Sequence, residues 1–483
     1  MFAHDITPEP QESYIVSKAP KVVFLPHGNL QYSQLPPEKR AWVIENCYER
    51  LFDRVRKNEY RIGFEGSGFT IDAIAELCPR VCDKLRGLVK DGLVEPVASP
   101  YIHIMLSNID ARIGLASLKD GLDAWEKRTG VRPTLGWNPE CGWADFIPEI
   151  FREAGFESLV MDGDSFLLSF QDIREATGLR FDVKGHSNKD KLFRIEEYIQ
   201  DKPQFLRYLT TPSVAPNGLK LLFRSDMMAN PMLWYLMGAT EGVREQPIQI
   251  EEIEAILTRW KARIGDSGGF IMPFAEDAEY IGSSAYFYVK QFGQARFFEP
   301  EPDSVTRFCQ MLDLARRVGY ELATPTEAMK SAGKPIENPR IAEVENGIAW
   351  HGGTAKAWTN TSQARIFDPV CRMVFEGILS VAKRAKIDLM KDEGFSQKTL
   401  RKALRKVTAA YVSDSRWPPA PTSPGRFNVK ESLDDLFAAN DALGDAMQTL
   451  GLTAERSLYS PQLMRTQIEA IQNELYALKY FGE

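Results

Sequence analysis

Along the first two thirds of the chain, short apolar runs alternate with longer stretches in which apolar residues recur every three to four positions. The short runs predict strands at 21–26, 60–64, 92–97, 133–137, 158–161, 219–223 and 269–274, with a last one at 320–323. Helices are predicted between them. Residues 36–58 carry Trp42, Val43, Cys47, Leu51 and Val55 on one face, and Thr70 can cap a helix running to about Lys90. Further helical patterns cover 112–129, 249–264 and 303–318, while the stretch between 162 and 219 reads as long and irregular. Strands alternating with helices at this spacing imply a parallel sheet, most simply a closed β/α barrel. From about residue 365 the period changes to four long helices, at 365–385, 396–411, 429–450 and 460–480, with a Pro-rich joint from Arg416 to Gly425. The expected organisation is a catalytic barrel at 1–335, a linker or rim segment at 336–364, and a helical domain at 365–483.

Composition fits an ordinary globular chain. Of 483 residues, 44% are apolar and 26% charged, and the length calls for more than one packed unit. A net charge of −7 argues against a nucleic-acid partner, which needs a basic face. No apolar run approaches the roughly 18 residues needed to span a membrane, and the first ten residues lack a basic, apolar leader pattern. A cytoplasmic location is expected. The six cysteines are scattered, with Cys78 and Cys82 four apart in a helical pattern, so reduced thiols are expected rather than a zinc pair or a disulfide frame. The five histidines (4, 27, 103, 186 and 351) form no metal-binding spacing, and neither metal nor cofactor is expected.

Candidate chemistry starts at Gly136-Trp-Asn-Pro-Glu-Cys-Gly-Trp143. An apolar lead-in ends in a turn of Gly, Pro and Asn, and a helical pattern follows with Phe146, Ile147, Ile150 and Phe151. Glu140 therefore sits between Trp137 and Trp143 at the mouth of a strand-to-helix turn, where alternating β/α folds build their sites. Indole faces stack on sugar rings and a carboxylate can attack or protonate. Taken alone, the same residues also fit two core tryptophans around a solvated glutamate.

The ends of the other strands add weight. His27, Glu65, His103, Glu140, Asp162, Arg224 and Asp277 each follow an apolar strand pattern, which suggests one shared rim. Cleavage of a glycosidic bond needs two carboxyl groups brought together from different strands. Asp277, flanked by Glu276 and Glu279, is suited to the acid role, since acidic neighbours raise a carboxyl pKa. Taken alone, that cluster also fits a solvated acidic loop or a cation site.

These residues resemble glycoside hydrolase family 57, the retaining family of α-amylases, 4-α-glucanotransferases and α-glucan branching enzymes. Trp137-Asn-Pro-Glu140 is similar to the family's Trp-x-x-Glu nucleophile turn, and Asp277-Ala-Glu279-Tyr-Ile-Gly282 to its Asp-x-Glu-x-x-Gly acid/base motif. His27 resembles the second histidine of the His-x-His motif. Gly92-Leu-Val-Glu95 resembles a Gly-x-x-Glu segment, and Phe223-Arg-Ser-Asp226 a Phe-Arg-x-Asp segment. Over residues of about 20–330, the resemblance implies a distorted (β/α)7 barrel followed by a C-terminal α-helical domain. It also implies no metal in the chemistry.

On that basis Glu140 is the expected nucleophile and Asp277 the acid/base of an enzyme that hydrolyses or transfers α-1,4-glucans or maltooligosaccharides. Trp137, Trp143, Tyr101 and Trp350 offer stacking surfaces, and His27 and His103 hydrogen bonds to hydroxyls. Arg224 and Asp226 orient groups near the nucleophile, and Glu95, Glu279 and His351 complete the expected substrate-binding set. Leu25 departs from the pattern, standing where the family motif has its first histidine. The segment after Glu95 also lacks the glycine-rich run usual there. The histidine missing at position 25 motivates an alternative, a weakly active or inactive carbohydrate-binding or regulatory protein on the same barrel. A metal-dependent deacetylase is disfavoured by the thin supply of histidines.

Overall fold

The computed structural model describes residues 19–33, 35–183, 188–238, 246–265, 267–284, 287–289, 294–296, 298–391, 397–417, 427–452 and 459–478. The first ten residues and most of the Pro-rich joint considered in the sequence lie outside the described residues. The strands are β1 Lys21–Phe24, β2 His27–Gly28, β3 Ile62–Gly66, β4 Val94–Ala98, β5 Leu135–Trp137, β6 Ser158–Asp162, β7 Ser213–Val214, β8 Lys220–Arg224 and β9 Phe270–Phe274.

Seven parallel staves run around a barrel. Residues 21–28 form one of them in two parts: β1 pairs with β9 and with Glu321–Leu322, and β2 pairs with β3. Pairing continues in parallel through β3, β4, β5, β6 and β8. Among the described residues no ladder joins β8 to β9, although the two touch, so the barrel is distorted there. β7 is an antiparallel addition to β8.

Alternation along the strands sorts side chains to two sides, as a closed sheet requires. Val23, Leu25, Val97, Leu135, Trp137, Val160, Leu222 and Met272 form one buried cluster inside the barrel. Val22, Phe24, Phe64, Val94, Leu159, Leu221 and Ile271 face the surrounding helices. Leu25 is thus part of an apolar barrel filling beneath the rim.

The helices follow the predicted pattern with informative differences. The stretch at 36–58 is broken into a short 3-10 turn (Pro37–Lys39), an α turn, a π turn (Ile44–Tyr48) and the α-helix Glu49–Asn58. The helix expected from Thr70 to Lys90 is two, Gly68–Leu77 and Pro79–Lys90, because a proline opens the second. The first is capped by Ser67, whose hydroxyl accepts from the Thr70 amide. Among its described residues, the stretch expected to be irregular holds four α-helices, at Gly163–Leu168, Gln171–Thr177, Phe193–Ile199 and Pro203–Thr210. Each is eight residues or shorter, too short for a clear 3.6-residue period. Asp226–Met237 is a helix that the apolar spacing does not announce. All six cysteines are free, with Cys78 at the break between two helices.

The long C-terminal helices are Ser362–Ala385, Lys398–Ala409, Phe427–Thr449 and Pro461–Tyr476, packed on one another. Between the second and third, Tyr411–Trp417 turns back onto the barrel: His103 carbonyl accepts from the Ser413 amide at 2.7 Å. Two short antiparallel strands, Ile348–Ala349 and Gly353–Thr354, carry a hairpin across the ends of β5, β6 and β8. It is held there because the Trp143 amide donates to Ile348, the Trp350 amide to Glu140, and the Ser165 hydroxyl to Ala349. No helix among the described residues is long and apolar enough to cross a membrane.

Candidate active site

Of the seven polar residues that end the strand patterns, six are almost wholly buried (His27, Glu65, His103, Glu140, Asp162 and Arg224), and the seventh, Asp277, keeps its side chain 15% exposed. They divide into two connected networks.

The first lies over β2, β3, β5 and β9. His27 Nδ1 pairs with Glu65, and its Nε2 lies 3.6 Å from Asp277 Oδ1. The His27 ring stacks on Trp137, with centroids 5.5 Å apart, and lies 5.1 Å from the His103 ring. Burial works against a charged His27. The adjoining Glu65, together with Asp277 and Glu279, outweighs it and pushes the pKa up to about 10. His103 behaves oppositely: burial, then the charge on His27, holds it well below the ordinary range, so it is neutral.

Glu140 sits in a left-handed backbone conformation (φ 57°), as does Cys141 (φ 47°). For residues other than glycine such angles cost roughly 1–3 kcal/mol and need support from their surroundings. Here the support includes the hairpin amide of Trp350 on the Glu140 carbonyl at 2.9 Å. On the side chain, Ser413 Oγ donates to Glu140 Oε1 at 3.1 Å, and His103 Nδ1 lies 3.0 Å from the same Oγ. An ionised carboxylate only accepts, and a hydroxyl has one proton to give. With Glu140 ionised, His103 must therefore donate from Nδ1, which makes a relay from His103 through Ser413 to Glu140.

Burial raises the pKa of Glu140 well above the usual carboxylate range. Asp414 and Asp277 add to the effect, while Ser413 and His27 counter it. Asp277 is likewise raised, first by burial, then by Glu279, Glu276 and Asp414 against the pull of His27. Asp414 lies 3.7 Å from His103 Nδ1 and accepts from Asn29 Nδ2 at 2.9 Å. Carboxyls gathered in one largely buried site raise one another's pKa, which favours a retained proton there. Glu279 is engaged by Tyr48 and by the Asn29 amide at 2.7 Å. Gly282, the last residue of the same motif, has φ 114°, and an added Cβ would overlap the Asn46 carbonyl.

The second network surrounds Arg224, which is fully buried. Its guanidinium meets Asp162 at 3.0 Å and Asp226 and Glu276 at 2.6 Å, and faces the Trp350 ring at 5.6 Å. Asp162, Asp164 and Asp226 lie close enough to hold a cation. All six of their carboxylate oxygens already accept a hydrogen bond, from Arg224, Ser165, Ser225, the Asp226 amide and His351. The cluster therefore reads as an ion network around one guanidinium rather than a metal centre.

Several expected binding residues lie elsewhere. Glu95 stands near the start of β4, where it accepts from the amide and hydroxyl of Thr326 and so caps the helix Pro325–Ser331, away from the strand ends. Tyr101 donates to Asp72 at 3.0 Å and lines a cleft beside the helical unit. Trp143 is buried in the core between the barrel and its helices. Ser413 and Asp414 escape a reading of the sequence, because nothing there ties the end of a C-terminal helix to strand ends some 270 residues earlier. The polar Ser-Asp pair between two helical patterns, just ahead of Arg416-Trp-Pro-Pro, is the available signal.

With the geometry in view, residues 10–235 match the family model Glycosyl hydrolase family 57. That region, just under half of the chain, is similar to the family. Among curated relatives, an alpha-amylase of Pyrococcus abyssi is 28% identical over 132 residues, 26% of this chain and 20% of the relative. A 4-alpha-glucanotransferase of Thermococcus litoralis is 27% identical over 135 residues, with the same coverage. A probable 1,4-alpha-glucan branching enzyme of Mycobacterium tuberculosis is 32% identical over 81 residues, 17% of this chain and 15% of the relative. The chain thus spans about a fifth of the length of the first two relatives and less of the third. Its fold is shared with the family 57 branching enzyme of Pyrococcus horikoshii (TM-score 0.58, 14% identity, 94% of this chain and 95% of that one). It is also shared with the 4-alpha-glucanotransferase of Thermococcus litoralis (TM-score 0.53, 16% identity, 88% and 60%).

Proposed function

We propose that this chain is a retaining α-glucan-active enzyme, with Glu140 as nucleophile and Asp277 as acid/base. The observation that carries the reading is the pair itself. Two carboxyls from β5 and β9 share one buried network through His27, and both resist ionisation, so one can hold a proton while the other is held as a carboxylate by Ser413. The family match over residues 10–235 and the names of the relatives support an α-glucan substrate.

In the first step Glu140 attacks the anomeric carbon, the glycosidic C–O bond breaks, and Asp277 gives its proton to the leaving oxygen. In the second, Asp277 takes a proton from water or from a sugar hydroxyl, whose oxygen replaces Glu140 at the anomeric carbon. His27, charged and placed beside Asp277, stabilises the carboxylate that remains once Asp277 has given up its proton. Three buried ring nitrogens, His103 Nε2, Trp137 Nε1 and Trp350 Nε1, make no hydrogen bond with any described residue. They suit sugar hydroxyls, the imidazole as acceptor and the indoles as donors.

Glu140→Gln keeps the shape and removes the nucleophile. Incubation of the parent protein with maltoheptaose is expected to give short products alone if water is the acceptor, or a ladder of longer chains if a glucan is. The variant should form neither; full activity in Glu140→Gln would remove the assignment. A binding-only role rests on Leu25, which lies in the apolar barrel filling rather than on the rim. Maltooligosaccharide binding with no product over long incubation would favour it.

A further inference from the structure

A second concave site lies behind the relay. It is a cleft of about 450 Å³, within the range of small-molecule pockets. One wall is a single face of the helix Lys398–Ala409, which presents Lys398, Arg401, Lys402, Arg405 and Lys406 at helical spacing. Asn428, Glu431, Ser432 and Asp435, on the helix Phe427–Thr449, form the facing wall, and Phe69 and Tyr101 close one end.

The charges are only partly answered. Arg401 and Arg405 pair with Asp120, Lys406 with Asp435 at 2.6 Å, and Glu431 with Arg40 at 2.8 Å. Lys398 and Lys402 form no ion pair with any described residue. Opposite them, Ser432 Oγ and Asn428 Oδ1 are buried and make no hydrogen bond with any described residue, although both side chains line the cleft. Buried polar atoms without partners are uncommon in folded proteins and mark places where a ligand supplies the missing bond. Five cations on one helix face also stand out in a chain whose net charge is −7.

We propose that this cleft binds a small phosphorylated sugar, with the phosphoryl group on Lys398 and Lys402 and sugar hydroxyls on Ser432 and Asn428. Ammonium groups serve phosphate as point charges, a buried hydroxyl and amide oxygen suit a polyol, and the half-buried rings of Phe69 and Tyr101 offer apolar surface to a sugar. The cleft adjoins the relay through its lining residues. It is lined by Gln31, Ile102 and Val412, and Gln31 Oε1 accepts from the His103 amide at 3.1 Å. His103 and Ser413 are the next residues after Ile102 and Val412, so an occupant bears on the groups that hold Glu140. This coupling rests on the role proposed for Glu140; the binding site itself does not.

The test is calorimetric titration of the full chain with glucose 6-phosphate, with glucose and inorganic phosphate as comparison probes. Saturable one-to-one binding of glucose 6-phosphate is expected, weakened by added salt and tighter than that of either comparison probe. In K398A/K402A, which leaves the barrel untouched, affinity should fall about a hundredfold, taking about tenfold for each charge-assisted hydrogen bond removed. Ser432→Ala should weaken glucose 6-phosphate more than phosphate. An unchanged thermal midpoint in the lysine variant separates lost binding from lost folding. No binding by the parent chain, equal affinity for phosphate and the sugar phosphate, or unaltered affinity in K398A/K402A would each overturn the proposal. Because binding is read without turnover, failure of the glucan assignment leaves this result interpretable.

Discussion

Ser413→Ala tests whether the C-terminal helical unit tunes Glu140, the proposed nucleophile. The hydroxyl is wholly buried and donates to Glu140 Oε1 at 3.1 Å while receiving His103 Nδ1 at 3.0 Å. A hydrogen bond to a charged group contributes roughly 1.5–3 kcal/mol, and one pKa unit is about 1.4 kcal/mol. Deleting the hydroxyl therefore raises the pKa of Glu140 by about one to two units, from a value that burial already places above the usual carboxylate range. In the proposed mechanism Glu140 attacks as the carboxylate, so the acidic limb of kcat/KM moves to higher pH by that amount, and on this limb the variant is about ten- to a hundredfold slower. On the alkaline side of the limb the two proteins converge. The assay is reducing-sugar release or chain-length analysis from maltoheptaose across pH, with Ser413→Thr as the variant that keeps the hydroxyl. An acidic limb that stays in place, or moves down, in Ser413→Ala would refute the relay from His103 to Glu140.

Two further expectations concern stability. His27 is charged in the folded protein, so its contribution is complete below its ordinary value of 6.5 and is lost as pH rises through about 10. The thermal midpoint should fall over that window in the parent and fall less steeply in His27→Gln; equal slopes would refute the His27–Glu65 pairing as the cause. Arg224→Met removes the guanidinium that Asp162, Asp226 and Glu276 share, leaving buried carboxylates without their cation. Such losses cost about 3–5 kcal/mol, so denaturant unfolding should show a drop of that size, and a change below about 1 kcal/mol would show that the network is dispensable.

Strand placement was legible in the chain because a barrel imposes the same local grammar on every stave. Apolar residues of alternate facing fill the interior and the helix-facing layer, and polar residues follow where the chain leaves the sheet. Glu140 and Asp277 could be picked out because each lies a few residues after an apolar run, and local spacing survives folding. The short helices between β6 and β8 were not legible, because seven or eight residues do not complete enough turns to establish a period. Nor was the break before Pro79, since the apolar pattern runs on across it.

What the sequence by itself determined is the alternating barrel, the helical change near residue 365, and which carboxyls end which strands. The tertiary structure alone decided which of those groups meet. It sent Glu95 to the start of its strand, where it caps a helix, and Tyr101 to a different cleft. It brought Ser413 and Asp414 from the far end of the chain onto Glu140 and His103. The physical reason is that spacing along a strand or helix is fixed by local backbone geometry. The charge state of a buried carboxyl is set instead by whatever chain closure places within a few ångströms of it, at any separation in sequence.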